Sequence, residues 1–222
     1  MIKKIMQRTI KQVNTLVLLT GMFFSVVTLF PAAARASGMQ QNPVQLLQYI
    51  ADNMISGLRS NKATLKNNPG KVYQLAYRYV VPYADIAEMS RRVIPPQVWN
   101  NASGQERAQF EKKFTRLLIR TYASALTSYQ DQEVRFFPVR GNVGAMSTVE
   151  VNSEIVSSSA QPIKVTYRLL KAGSVWRLYD MSVEGVSLIE SFRSQFADIL
   201  AEGNMSKLLN QLDRHNTAKR ST

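Results

Sequence analysis

The chain contains no cysteine and a single histidine, His215. The first absence removes disulfides, thiolate zinc sites, iron–sulfur clusters and cysteine nucleophiles. The second removes histidine-rich metal sites and makes a serine–histidine–aspartate triad a poor prospect. Acidic side chains are also scarce: 15 Asp and Glu stand against 28 Lys and Arg in 222 residues, a net charge of +13. No G-x-G-x-x-G, P-loop, H-E-x-x-H, G-x-S-x-G or EF-hand loop occurs. The closest carboxylate groupings are Asp131/Glu133 and Glu150/Glu154, at loop or solvent-facing strand positions. With apolar residues at 45%, the chain has enough material for a core. Its composition points to a binding protein more than to a hydrolytic or redox enzyme.

The first 36 residues read as a secretory signal. Lys3, Lys4, Arg8 and Lys11 form a basic start with no acid, and Thr15 to Phe30 is an uncharged, mostly apolar run. Pro31 leads to Ala34-Arg35-Ala36, a small-x-small cleavage pattern. The apolar run is shorter than the roughly 20 residues a spanning helix needs. Cleavage after Ala36 takes away five basic residues and no acid, leaving 23 basic and 15 acidic ones, a net +8. An exported chain does not meet nucleic acid, so anionic lipid surfaces or acidic proteins are the partners its charge suggests.

The mature chain changes its period twice. Asn42-Pro43 and Asn68-Pro69 each read as an N-cap followed by proline at the first helical position. They predict helices to about Ser60 and Val80. A short helix is expected over Tyr83–Val93, broken by Pro95-Pro96. Ser103 and Glu106 form a capping box that opens the longest helix, to about Gln130. Its stripe of Phe110, Phe114, Leu117, Leu118, Thr121, Tyr122, Ala125 and Tyr129 extends about 27 Å at ~1.5 Å per residue.

From Val134 the alternation is two-fold. Strands are expected over 134–139, 146–156, 163–170 and 175–183. Val149, Val151 and Ile155 share one face, with Thr148, Glu150, Asn152 and Glu154 on the other. Helices return with Leu188, Ile189, Phe192, Phe196, Ile199 and Leu200, then a turn or two carrying Met205, Leu208, Leu209 and Leu212. Residues 214–222 are expected to be a disordered polar tail, leaving 37–213 as one domain. Helices and strands are segregated, so the fold class is α+β: a four-stranded antiparallel sheet with one face covered by helices. Nine Phe, nine Tyr, two Trp and nine Met give more apolar stripe than one sheet face needs, which leaves room for an apolar cavity between sheet and helices.

Asp180 lies mid-strand, and strict alternation sets it beside Trp176 and Leu178 on the apolar face. A shielded carboxylate needs a partner: Arg168 or Arg193, or backbone donors. Arg168 points nominally to the opposite face, so Arg193 is the expected partner.

The segment Val165–Leu212 carries Trp176, Tyr179-Asp180, Glu184-Gly185-Val186-Ser187-Leu188, Arg193-Ser194-Gln195-Phe196, Gly203 and Leu208. This combination resembles the C-terminal signature of the MlaC family, periplasmic phospholipid-binding proteins of the Mla lipid-asymmetry system, also called the toluene-tolerance family. Pro82-Tyr83-Ala84-Asp85, Trp99 and the Phe110/Phe114/Leu117/Tyr122 helix extend the likeness over residues 43–213. Arg91–Pro96 departs from it, where the family more often has a Leu-Gly step.

The resemblance implies a non-catalytic carrier in the periplasm with phospholipid as its ligand and no other cofactor. Its partners would be an outer-membrane lipoprotein–porin complex and an inner-membrane ABC-type transporter, met through that transporter's periplasmic substrate-binding-type subunit. Phe114, Leu118, Tyr122, Val149, Val151, Tyr167, Trp176, Phe192 and Phe196 would then touch the acyl chains. Gly185 would allow the sharp turn from strand to helix, and Asp180 and Arg193 would be a structural pair. Lys71, Arg91 and Arg92 are candidates for anionic headgroups. Two other readings stand beside this one: a small pocket enzyme using Asp180 and Tyr179 as acid–base groups, and a solid-core envelope scaffold.

Overall fold

The computed structural model describes residues 41–65, 68, 70–127, 132–157, 160–201 and 205–217. The expected signal segment and residues 218–222 lie outside them. Helix α1 (Pro43–Ser60) starts as its Asn42-Pro43 pair dictates, with the Asn42 carboxamide accepting from the Val44 and Gln45 N–H groups. A single turn, α2 (Lys62–Leu65), precedes α3 (Gly70–Tyr79). At Gly57 of α1 an added Cβ would collide with Leu75 Cδ2 of α3, whose side chain would have to move aside.

Pro82 sits in a 3-10 turn (Val81–Tyr83) that ends this helical pair. The next helix, α4 (Ile86–Val93), begins later than its pattern suggests because Asp85 caps it, accepting from Glu88 N–H at 2.9 Å. Ile94 takes an extended backbone ahead of Pro95, as residues before proline do. Pro96 then starts an unforeseen short helix, α5 (Pro96–Asn101), which buries Trp99. The long helix α6 (Gly104–Thr127) opens on the expected capping box: Ser103 Oγ accepts from Glu106 N–H at 3.2 Å, and Glu106 accepts in return from Ser103 N–H at 2.9 Å.

The sheet has five strands rather than four, antiparallel and in chain order: β1 (Glu133–Phe136), β2 (Thr148–Ser157), β3 (Ala160–Ala172), β4 (Val175–Val183) and β5 (Val186–Ser187). The added strand is only two residues long and leaves no alternation to read. It exists because Glu184 and Gly185 both take positive φ, at 49° and 79°, as a two-residue hairpin turn requires. Gly185 therefore turns strand into strand, and Ser187 then caps α7 (Leu188–Leu200). The last helix, α8 (Met205–Thr217), runs past residue 214, where a polar tail was expected.

Two large packing units result, with a small third one of Leu58, Leu65, Val72 and Ala123 where α1, α2 and α3 meet α6. In the first, α4 to α8 bury one another: Phe110 lies against Phe114 with ring centroids 5.3 Å apart, and Phe192 meets Phe114 edge-on at 5.3 Å. In the second, Leu46, Leu47, Ile50 and Met54 of α1 lie on Val149, Val151, Leu169 and Trp176, the apolar face of the sheet.

Candidate functional site

One irregularity decides the polar chemistry. Between β3 and β4 the register slips by one residue: Arg168 pairs with Asp180, but Leu169 pairs with Leu178. Tyr179 is the extra residue of a β-bulge, and it turns Asp180 off the face that Trp176 and Leu178 share. Two expectations are thereby corrected. Asp180 is on the face of Arg168, and Arg168 is its partner, with Nη1 donating to Oδ2 at 2.8 Å. Arg193 instead bonds Glu190 at 3.2 Å on the surface of α7.

Asp180 is 3% exposed and surrounded by donors. Its Oδ2 also accepts from Ser187 Oγ at 2.7 Å, and Oδ1 accepts from the N–H groups of Met181 at 2.8 Å and Ile189 at 3.2 Å. The carboxylate thus ties the end of β4 to the first turn of α7, where negative charge is favourable. Arg168 spans onward to Glu150 at 2.8 Å. Tyr179 faces the other unit, under the Arg92 guanidinium at 4.3 Å from its ring centre. Burial, with the Asp180 charge adding to it, pushes the Tyr122 hydroxyl up to about 12. Among the described residues no group of three or more His, Asp or Glu is placed to hold a metal ion.

The nine apolar candidates divide between the two units. Phe114, Leu118, Tyr122, Phe192 and Phe196 belong to the helical one, whereas Val149, Val151, Tyr167 and Trp176 belong to the unit of α1 and the sheet. The two are unequally closed. Among the described residues, the helical unit has seventeen buried hydrophobic side chains and six half-buried ones packed on them. The sheet unit has eight buried and thirteen half-buried, so much of its apolar surface stops short of full burial.

Two open clefts lead to that looser unit. One, of ≈ 750 Å³, is lined by Phe137–Arg140, Met146, Thr148–Glu150 and Asn152. The other, of ≈ 380 Å³, runs from Asn42–Gln45 to Pro138, Val139 and Val143. They share Pro138 and Val139, so they flank the same connection between β1 and β2. Val44, Val139, Val143, Met146 and Val149 line them and also belong to the sheet unit. Of the nine candidates only Val149 reaches a cleft wall. The sequence pattern carries the first strand on to Val139, whereas the structure ends it at Phe136, so Phe137, Pro138 and Val139, strand by sequence, are instead the wall of a cleft.

Residues 48–214 match the MlaC protein family. The chain belongs to the MlaC family. Among curated relatives, the toluene tolerance protein Ttg2D of Pseudomonas putida is 25% identical over 160 residues, 72% of this chain and 74% of its own. The intermembrane phospholipid transport system binding protein MlaC of Haemophilus influenzae is 23% identical over 198 residues, covering 86% and 92%. The solved phospholipid-binding protein of Ralstonia solanacearum, in complex with a phospholipid, superposes with a TM-score of 0.72 at 28% identity. It covers 79% of this chain and 97% of that one. As an MlaC-family chain, this one keeps its Arg91–Pro96 departure local: the segment closes α4 and opens α5, with Val93 and Ile94 fully buried.

Proposed function

We propose that the chain is a periplasmic phospholipid carrier, exported by its first 36 residues and then cleaved. Two acyl chains of ~14 methylenes each lose on the order of 20 kcal/mol when exposed to water. Lipid therefore crosses an aqueous gap only under cover. A carrier of this kind needs no nucleophile or metal, and its driving energy comes from partners: an ABC-type transporter at the inner membrane and a lipoprotein–porin complex at the outer.

One observation of the fold carries the reading. Both clefts open onto the less closed of the two apolar units, on the side where α1 lies over the sheet. We assign the acyl chains to that interface, against Val149, Val151, Tyr167 and Trp176. Phe114, Leu118, Tyr122, Phe192 and Phe196 pack in the helical unit instead and are left out of this assignment. Taking up lipid then means that α1 lifts from the sheet, exchanging its Leu46, Leu47, Ile50 and Met54 contacts for contacts with methylenes. Nothing favours the enzyme alternative: every oxygen of Asp180 is engaged, and its surroundings are donors with a structural task.

The test is transfer of a fluorescent phosphatidylglycerol between two vesicle populations separated by the protein. The purified protein should raise the transfer rate in proportion to its concentration. Val151→Asp, with circular dichroism retained, should return it to the spontaneous rate. Transfer that stays at the spontaneous rate with folded wild-type protein would refute the proposal.

A further inference from the structure

Strand β2 is paired along its whole length on one side and over less than half of it on the other. β3 runs beside Thr148 to Ser157, whereas β1 meets only Ser153–Val156. One more bond, from Phe137 N–H to the Asn152 carbonyl at 2.9 Å, ends that ladder. Beyond it the chain leaves β2 and turns away through Gly141 at φ 90°.

The parity of the open stretch follows from its neighbours, because alternate residues of a strand bond to opposite sides. Lys171 N–H donates to the Ser147 carbonyl at 2.8 Å, so Ser147, Val149 and Val151 bond toward β3. Thr148 and Glu150 turn their N–H and C=O groups the other way, toward the larger cleft. Among the described residues, no hydrogen bond reaches those groups from that side. The cleft beside them presents Phe137, Val139 and Met146 as apolar wall. Main-chain groups in a row beside side-chain pockets are what an added strand requires.

Charge selects the occupant. Arg140 lines the cleft and makes no ion pair among the described residues. Lys171 reaches the Gly144 carbonyl at 2.8 Å and meets no carboxylate there. The one acid in the wall, Glu150, is already held by Arg168. A second copy fits poorly, since two such edges paired antiparallel bring Glu150 against Glu150, and like charges placed opposite are destabilising.

We propose that this open edge of β2 docks an extended, acidic segment of a partner protein as an added strand, an apolar side chain seated on Phe137 and Met146 and a carboxylate against Arg140. Its functional sense rests on the carrier reading, because the partner would then sit at the lip through which lipid passes. The docking itself needs no lipid.

The experiment titrates ¹⁵N-labelled purified protein with a capped peptide alternating valine and glutamate, and separately with its valine–lysine counterpart. The glutamate peptide should shift the Thr148, Glu150 and Asn152 amides and slow their hydrogen exchange by about tenfold or more. It should bind roughly tenfold more tightly than the lysine peptide, and Arg140→Glu should reverse that order. Methylating the peptide's backbone nitrogens should abolish the effect. Absence of shifts at Thr148–Asn152, or equal affinity for the two peptides, overturns the proposal. So do the same shifts arising from raised protein concentration alone, which assigns the edge to a second copy. Shifts produced by phosphatidylglycerol vesicles and not by peptide also overturn it. Lipid content measured on the same wild-type samples keeps the two questions apart: protein that binds the glutamate peptide but carries no lipid counts against the carrier reading alone.

Discussion

At the scale of single residues, Asp180 shows how one side chain can serve two elements. It holds Arg168 from β3, Met181 from its own strand, and Ser187 and Ile189 from the start of α7. Asn at this position keeps the shape but offers one acceptor oxygen where two were used, and it sets an amide against donors. Arg168 is about one-third exposed and keeps Glu150, so the stranded charge is partly solvated and the loss falls below that of a fully buried pair. Asp180→Asn should cost roughly 2–3 kcal/mol. For a domain of this size that is a fall of several degrees in melting temperature, measured by calorimetry, with lipid binding retained. Full stability combined with loss of a measurable turnover would instead make Asp180 catalytic. Val151 and Phe192 form a second residue-scale comparison. Both are buried, but Val151 lies at the α1–sheet interface and Phe192 among the stacked aromatics. Burying an unpaired charge costs several kcal/mol. Phe192→Asp should therefore unfold the protein. Val151→Asp, beside the looser unit, should lose co-purifying lipid while retaining its circular dichroism.

At the scale of elements, the ends of helices are where sequence and structure agree most closely. Asn42-Pro43 and Ser103/Glu106 start their helices where their chemistry says, because capping is a local contest between a side-chain oxygen and free N–H groups. Glu106 is also held by Ser206 Oγ at 2.8 Å, linking α6 to α8. Its carboxyl lies below the usual range, through the Ser103 backbone bond first and then the bonds to Ser206 and Ser103. Glu88 is likewise depressed, chiefly by its hydrogen bond to Arg91, with Arg92 adding to it against the opposing effect of burial. A folded-state value below the unfolded one contributes stability above the unfolded pKa, near ~4.3 for Glu, and loses it as pH falls through the folded value. Stability measured by urea unfolding should accordingly be flat from neutral pH to about 5 and decline below about 4. Glu88→Gln should flatten part of that decline.

What the sequence hid were features without a period. A bulge at Tyr179 shifts the face of every residue after it, and strict alternation, which set Asp180 beside Trp176, has no means of registering one inserted residue. β5 is too short to alternate. Of the candidate site, the apolar residue types were legible as stripes. Their division into two units was not, because a stripe says that a face is buried without saying against which neighbour.

At the scale of the molecule, two large apolar units of unequal closure are joined through α6 and β4, beside a small third cluster around Leu58 and Val72. The tight helical unit supplies rigidity. The looser unit has α1 as its cover and two clefts at its rim. This arrangement, together with membership of the MlaC family, is the basis of the carrier account. Export is its first consequence: N-terminal sequencing of protein from the envelope fraction should begin at or near Ser37, whereas an intact apolar Thr15–Phe30 segment held in membranes would contradict a soluble carrier. The most direct test of the central claim is native mass spectrometry of the mature protein as purified. The expected result is a population heavier than the bare polypeptide by the mass of a diacyl phospholipid, which dissociates at raised collision energy and is missing from folded Val151→Asp. A folded wild-type protein found only at the mass of its polypeptide, even after incubation with phospholipid vesicles, would contradict it.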